Sequence, residues 1–534
     1  MKKDTFLKGA VILGAAGMIV KVMGAFFRIP LGRILESEGL GYYQVGYTVF
    51  NLLLAFTAAG FPTAISKLVS EKRAKGDYQG AHKIFKTSFY LLVGLGGIGS
   101  IALALLTSFL VTNVFQSPNT YYAVLALSPA VFFVAVLASF RGYFQGMKDM
   151  KPTAISQIVE QAGKVLFGLS LAIVLLRRFD IAYAAGGASF GTGIGAAFAL
   201  VMMVFLYRKR KDKIFPAEGQ AIDAEEETSE EIVKNLLKIA IPIAIGAAVM
   251  PLINIVDTFV VLRRLQAIGY SVEEATSLYG QLQGMANTLV NLPQVLTVAL
   301  AMSIVPVISE SAATNDWQAV RGDTKSALRV ALLIGLPASV GLAVLSTPIM
   351  RMLFPAEPAT VGQILLFLAF AVTFLAPLQT LTGVLQGLGK PDVPVKNLMV
   401  GAAFKFVVTY GLTGIPALNV KGAAIGTVTA YMVAFFLNFL AVKKETNVTF
   451  EIQQFVIKPI LSVTTMGFVV YALYRQLYPF LGNSLSTVGS IAVGAAVYGI
   501  MLLKTQTIIK EDFDLLPGGG KLLKVLHKMK LIKE

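Results

Sequence analysis

The chain has 534 residues, 55% of them hydrophobic and only 14% charged, with a mean hydropathy of +0.70 and a formal net charge of +16. Soluble proteins carry roughly a quarter charged residues, so the soluble globular classes are excluded. Cysteine is absent, which excludes disulfides. In so apolar a chain the basic excess reports membrane topology and contact with anionic lipid, not nucleic-acid binding.

Apolar runs of about 20 residues, each long enough to cross a hydrocarbon core, recur along nearly the whole chain. They predict an all-α polytopic membrane protein with fourteen spans. The first six are 8–30, 41–66, 84–111, 121–146, 153–176 and 181–207. After a linker come 235–262, 277–310, 325–350, 360–388, 394–415, 420–442, 454–475 and 484–504. The first run continues through Lys21 to Pro30 without a small-residue cleavage pattern, so it reads as an uncleaved helix. Pro242, Pro293 and Pro337 fall inside spans, where neighbouring helices or water satisfy the freed backbone groups. Of the 46 Lys and Arg, 34 fall on the side that holds both ends of the chain and nine on the other, while Lys21, Lys164 and Lys405 lie within spans. Both termini are therefore expected in the cytoplasm.

The two halves repeat. LASFRGYFQGMKDMKPTAISQIVEQAGKVL, from Leu137, slides onto LQTLTGVLQGLGKPDVPVKNLMVGAAFKFV, from Leu378, pairing Gly142 with Gly383, Gly146 with Gly387 and Lys164 with Lys405. PTAISKLVSE at Pro62 matches AMSIVPVISE at Ala301, Asp77 pairs with Asp316, and GASFGT at Gly187 matches GAAIGT at Gly422. Six spans separate equivalent positions, so the halves enter the membrane in the same direction, a parallel repeat. The expected organisation is an N-lobe at 1–207, a charged linker at 208–234, a C-lobe at 235–442, helices 13 and 14 at 443–505 and a basic tail at 506–534. The linker opposes RKRKDK at Arg208 to DAEEETSEE at Asp223, a solvated pattern. The tail, GGGKLLKVLHKMKLIKE from Gly518, reads either as a lipid-surface helix or as a frayed end.

Several motifs carry no chemistry. GLGGIG at Gly94 has dinucleotide-fingerprint spacing, yet it sits within a span and follows no strand. GASFGTGIG at Gly187 has GxxxG spacings that let helix backbones approach. The sequon at Asn447 falls in an expected cytoplasmic loop. Only His82 and His527 are present, both outside the spans, so neither a metal site nor histidine catalysis has a constellation. The outer side offers no carboxylate pair for glycosyl transfer, since Glu36 and Glu38 share a loop of a few residues.

An ionisable side chain deep in a span costs roughly 2.5–3.5 kcal/mol, so it faces a cavity, pairs, or both. Lys21 and Arg28 in the first span, Glu160 and Lys164 in the fifth, Asp257 in the seventh and Lys405 in the eleventh meet this description. Glu160 and Lys164, four apart, are placed to pair on one helical face. Lys405 has Gly401 in that position and needs water, a distant acid such as Asp257, or a ligand. At about 1.5 Å per residue both lysines lie near mid-membrane, and a vertical pseudo-axis brings them toward the shared interface. With Lys21 and Arg28 they form a cationic cavity suited to an anionic solute, phosphate above all.

Fourteen spans, a six-plus-six repeat and two extra helices resemble the multidrug/oligosaccharidyl-lipid/polysaccharide exporter superfamily over the whole chain. TFLKGAVILGAAGMIVKVMGAFFRIPLGRIL, FPTAISKLVSE and RGYFQGMKDMKPTAISQIVEQ are similar to its polysaccharide-biosynthesis branch, which includes SpoVB, YtgP and MurJ-type lipid II flippases. The resemblance implies alternating-access movement of undecaprenyl-diphosphate-linked sugars across the bacterial plasma membrane without ATP hydrolysis or a cofactor. A coupling cation or the membrane potential would drive it, in a monomer surrounded by membrane lipid. It places Lys21 on one first-helix cavity arginine of the family and Arg28 on or beside the other. Further family arginines would fall near Leu54-Ala55 and Thr288, which are not basic here. Asp257 matches an acid of a cation site in some relatives, with Lys405 as a fixed positive charge. A cation-coupled drug exporter is the alternative, though it wants a carboxylate where the first helix has Lys21 and Arg28. A membrane enzyme of lipid-linked glycans would need a catalytic acid or a large outer loop, and an inactive scaffold would need neither.

Overall fold

A computed structural model describes residues 2–214 and 227–507. Residues 215–226 of the charged linker and 508–534 of the tail, including Gly518 onward and His527, lie outside the described residues. Among the described residues every regular element is helical. Eleven helices among the described residues are long and apolar enough to cross a membrane. Two of these are double: Lys2–Leu54 turns at Glu36 (φ 53°) and Lys458–Lys504 turns at Gly482 (φ 68°), which makes thirteen. Asp392–Thr413 is less apolar because Lys396 and Lys405 lie on it, and it is the fourteenth. The chain is thus an all-α polytopic membrane protein. GLGGIG is helical and lies within Tyr78–Phe109. Asn447 ends the Val420–Thr446 helix in the left-handed conformation (φ 53°), a task that asparagine tolerates.

The second and eighth spans both wind irregularly. The second changes to a π-helix over Ala55–Ala59 just before Gly60 and Pro62. The eighth is π-helical over Gly280–Ala286 and breaks at 291–293 before Gln294–Ala313. By the repeat pairing the break at 291–293 falls on 52–54, beside the first π-helix, whereas 280–286 falls on 41–47, which is regular helix.

The chain packs as two compact units, 1–280 and 281–534. The seventh span, Ser229–Ala267, is therefore a member of the first unit, whereas the repeat divides the chain at the linker. Its tight contact is backbone on backbone: a Cβ on Gly60 would collide with the Ala240 carbonyl. Thr228 caps its start in a reciprocal capping box with Glu231, and Glu227 at the linker's end lies 3.4 Å from Lys72.

Each unit builds its repeat with the same contacts. Ser70 Oγ donates to the Gly146 carbonyl at 3.0 Å, and Ser309 Oγ to the Gly387 carbonyl at 2.9 Å. Asp77 accepts from the Gly80 amide at 2.6 Å to cap the third span, and Asp316 accepts from the Ala319 amide at 3.0 Å to cap the ninth, Trp317–Val344. A Cβ on Gly191 would stand 3.2 Å from the Lys164 carbonyl oxygen, and one on Gly426 3.2 Å from that of Lys405. The two lysines thus occupy equivalent places in equivalent helix pairs.

The fifth span, Lys151–Arg178, and the sixth, within Ile181–Ile214, meet through glycine. A Cβ on Gly163 would lie 2.6 Å from Gly195 Cα, and one on Gly195 would collide with the Glu160 carbonyl. The GxxxG spacing therefore serves close packing. Overpacking such a contact costs about 1–3 kcal/mol. Gly195→Ala is expected to lower thermal stability in detergent by that order, while Gly97→Ala, whose Cβ meets nothing within 4 Å, leaves it unchanged.

Candidate functional site

In the first unit the side chain of Lys164 is buried, with 9% exposure. Its Nζ donates to Tyr47 Oη at 2.6 Å. It also lies 4.1 Å from the Tyr47 ring centroid, 5.2 Å from that of Phe27 and 5.9 Å from that of Tyr43. Tyr43, Tyr47 and Phe50 recur at spacings of four and three, so the second span presents them on one face. The rings follow one another at 5.1 and 5.5 Å, and Phe27 joins from the first span at 6.0 Å. Each ring face attracts an ammonium by about 0.5–2 kcal/mol, depending on desolvation. Three rings and a phenol oxygen together offset the roughly 2.5–3.5 kcal/mol cost of a charge at this depth without a carboxylate.

Glu160 does not pair with Lys164. Its Oε2 accepts from Arg141 at 2.7 Å, and Arg141 Nε also donates to Ser156 Oγ at 2.9 Å. The guanidinium forks between two residues of the fifth span, Ser156 and Glu160, which share a face at a spacing of four. That planar match, and the aromatic box around Lys164, separate two groups that helical spacing alone would join. Arg141 is an intramembrane charge that sequence reasoning missed, although it lies in the quoted RGYFQG stretch. It sits five residues from the end of its helix, Ser128–Gly146, where a flanking charge is ordinary.

Lys21 and Arg28 lie two turns apart on one face of the first span, with Gly24 between them. Lys21 is exposed, with no protein partner among the described residues. Arg28 is half-buried and engaged by neighbours. From the fifth span Gln161 leans over this face, its Nε2 3.6 Å from where a Cβ on Gly24 would stand. No carboxylate occurs between Leu7 and Leu35, so the strip is purely cationic and neutral-polar, an arrangement suited to an anion.

Asp257, on the seventh span, also belongs to the first unit. It is 7% exposed and engaged by neighbours. Beside it Thr258 Oγ1 meets Tyr279 Oη at 2.6 Å. Lys405 belongs to the second unit, where it is half-buried and engaged by neighbours. Leu54-Ala55 lies where the second span turns π-helical, and Thr288 is buried in the short Asn287–Val290 helix, its hydroxyl donating to the Gly284 carbonyl at 2.6 Å. Neither place supplies a cation. Among the described residues no group of His, Cys, Asp and Glu is arranged to hold a metal ion.

A double-mutant cycle separates the two arrangements of Glu160. Residues in direct contact couple by about 0.5–3 kcal/mol. Arg141→Gln with Glu160→Gln is expected to show coupling within that range in detergent unfolding, and Lys164→Met with Glu160→Gln coupling near zero.

Residues 6–312 match the polysaccharide biosynthesis protein family, and residues 283–411 match the MatE family. Stage V sporulation protein B of Bacillus subtilis (strain 168) is 30% identical over 531 residues, covering 98% of this chain and 100% of that one. Lipid II flippase MurJ of the same organism is 26% identical over 519 residues, covering 92% and 94%. Among solved structures, lipid II flippase MurJ in an inward closed conformation aligns with a TM-score of 0.65 at 20% identity, over 92% of this chain and 98% of that one. An inward-facing MATE family transporter of the MOP superfamily aligns with a TM-score of 0.64 at 16% identity, over 82% and 98%. These likenesses show that the chain shares the fold of those two structures. Matched over more than half its length by the family and over nearly all of it by a 30% identical relative, the chain belongs to the polysaccharide biosynthesis protein family.

Proposed function

We propose that this protein is a flippase moving an undecaprenyl-diphosphate-linked cell-wall or polysaccharide precursor across the bacterial cell membrane by alternating access, with both termini in the cytoplasm. One observation carries the reading: the first span presents Lys21 and Arg28 on a single face, with no acid anywhere between Leu7 and Leu35. A diphosphate headgroup drawn into the membrane needs such charge, because lipid tails provide none. The family, and a relative named for flipping lipid II, support the same substrate class. Asp257 is the carboxylate placed to respond to a coupling cation, and Lys405 contributes positive charge in the second unit. Lys164 acts through packing, since its ammonium is already engaged by Tyr47 and two further rings.

The test is purified protein in liposomes, measuring whether an undecaprenyl-diphosphate-linked saccharide binds and becomes accessible on the far face. Truncating one partner of a buried charge pair costs on the order of 2–5 kcal/mol. Lys21→Ala and Arg28→Ala, and likewise Lys405→Ala, are therefore expected to lose about 30-fold or more in transport while inserting normally. For Lys164→Ala a smaller loss is expected, accompanied by lower thermal stability. No interaction with the lipid, together with saturable transport of an organic cation, would replace this reading with drug export.

A further inference from the structure

The polar side chains beside Lys21 and Arg28 are neutral amides, and the fold leaves them unused. Gln161 and Gln157 on the fifth span are half-buried and Asn51 on the second is exposed. Among the described residues none of the three has a hydrogen-bond partner in the protein. A buried amide normally finds partners, and one within a membrane span that lacks them faces water or a ligand.

Two contacts set the register between the first and fifth spans. Phe27 lies against Lys164, with Nζ 5.2 Å from the ring centroid. One turn earlier on both helices, Gly24 lies against Gln161. The helices therefore step together, and a further turn brings Lys21 level with Gln157 at about 1.5 Å rise per residue. The second span runs antiparallel to the first. Its Tyr47 meets Lys164, so Asn51, one turn on, comes level with Gln161. The result is three levels: Phe27, Tyr47 and Lys164, closed by rings; then Gly24, Asn51 and Gln161; then Lys21 and Gln157. Gly24 removes a side chain from the middle level and leaves room there.

We propose that Asn51, Gln157 and Gln161 form a saccharide-reading subsite beside the cationic strip, taking the hydroxyl and acetamido groups of a sugar attached to the lipid diphosphate. This rests on the flippase reading and deepens it. Cations bind a diphosphate with or without a sugar, so they cannot tell a loaded carrier from an empty one. Amides both donate and accept, as sugar hydroxyls and acetamido groups do. A site built to hydrogen-bond a substrate group discriminates strongly against the analogue that lacks it, because its polar groups are then left unpaired. The ring-closed level around Lys164 bounds the subsite on one side with apolar surface.

The experiment compares two probes on the full chain in lipid nanodiscs: undecaprenyl diphosphate alone, and undecaprenyl diphosphate bearing one N-acetylated hexosamine. Gln161→Leu, Gln157→Leu and Asn51→Leu are the variants, with Lys21→Ala as reference. Expected are a loss of about tenfold in affinity for the sugar-bearing lipid in each amide variant, with the bare diphosphate bound as by the parent, while Lys21→Ala weakens both. Thermal stability should match the parent, since leucine fills a similar volume and no protein hydrogen bond is removed. Equal loss for both lipids, no loss for either, or a fall in stability accompanying the loss would overturn the subsite and leave the flippase reading standing. Failure of the parent protein to bind either lipid would overturn the flippase reading and the subsite together.

Discussion

A charge within a bilayer must be met by something, and in the first unit it is met in two different ways. Lys164 is surrounded by the faces of Phe27, Tyr43 and Tyr47 and donates to a phenol oxygen, so its neutralisation is spread over polarisable rings. Arg141 is met by a carboxylate and a hydroxyl of a single helix face. Both solutions use up the charge inside the protein. Lys21 and the nearby amides, by contrast, have no hydrogen-bond partner in the protein among the described residues.

The aromatic box also ties the spans together. Tyr47 belongs to the second span, Phe27 to the first and Lys164 to the fifth, and the fifth is locked to the sixth by glycine against glycine. An ammonium fixed among three rings therefore positions the first-span face that bears Lys21 and Arg28. Just beyond, the second span turns π-helical at Ala55–Ala59, and a π-turn is a place where a helix bends at little cost.

Much of the architecture was legible in the residues. Twenty-residue apolar runs have one stable form in lipid, because only a helix satisfies its own backbone. All fourteen were readable on that ground, and so was the repeat, whose paired serines, caps and glycines recur as matching contacts in each unit. The site was legible only in outline. Spacing placed Glu160 and Lys164 on one face, but spacing is blind to the neighbouring helix that offers a better partner. Arg141 was overlooked because a basic residue near a helix end is ordinary, and its inward reach depends on which face the fourth span turns to the fifth. The π-helical turns were not readable either, since they arise from one extra residue accommodated under tertiary packing.

The sequence by itself determined that this chain is a polytopic helical membrane protein, duplicated, with cations in its spans and no acid in its first. Those properties follow from the hydrophobic and electrostatic costs of burial in lipid, which act on each segment independently. Only the tertiary structure decided which cations are engaged by the protein and which, like Lys21, have no protein partner among the described residues. That choice depends on the register between helices far apart in the chain, fixed by glycine contacts and ring packing that no single segment encodes.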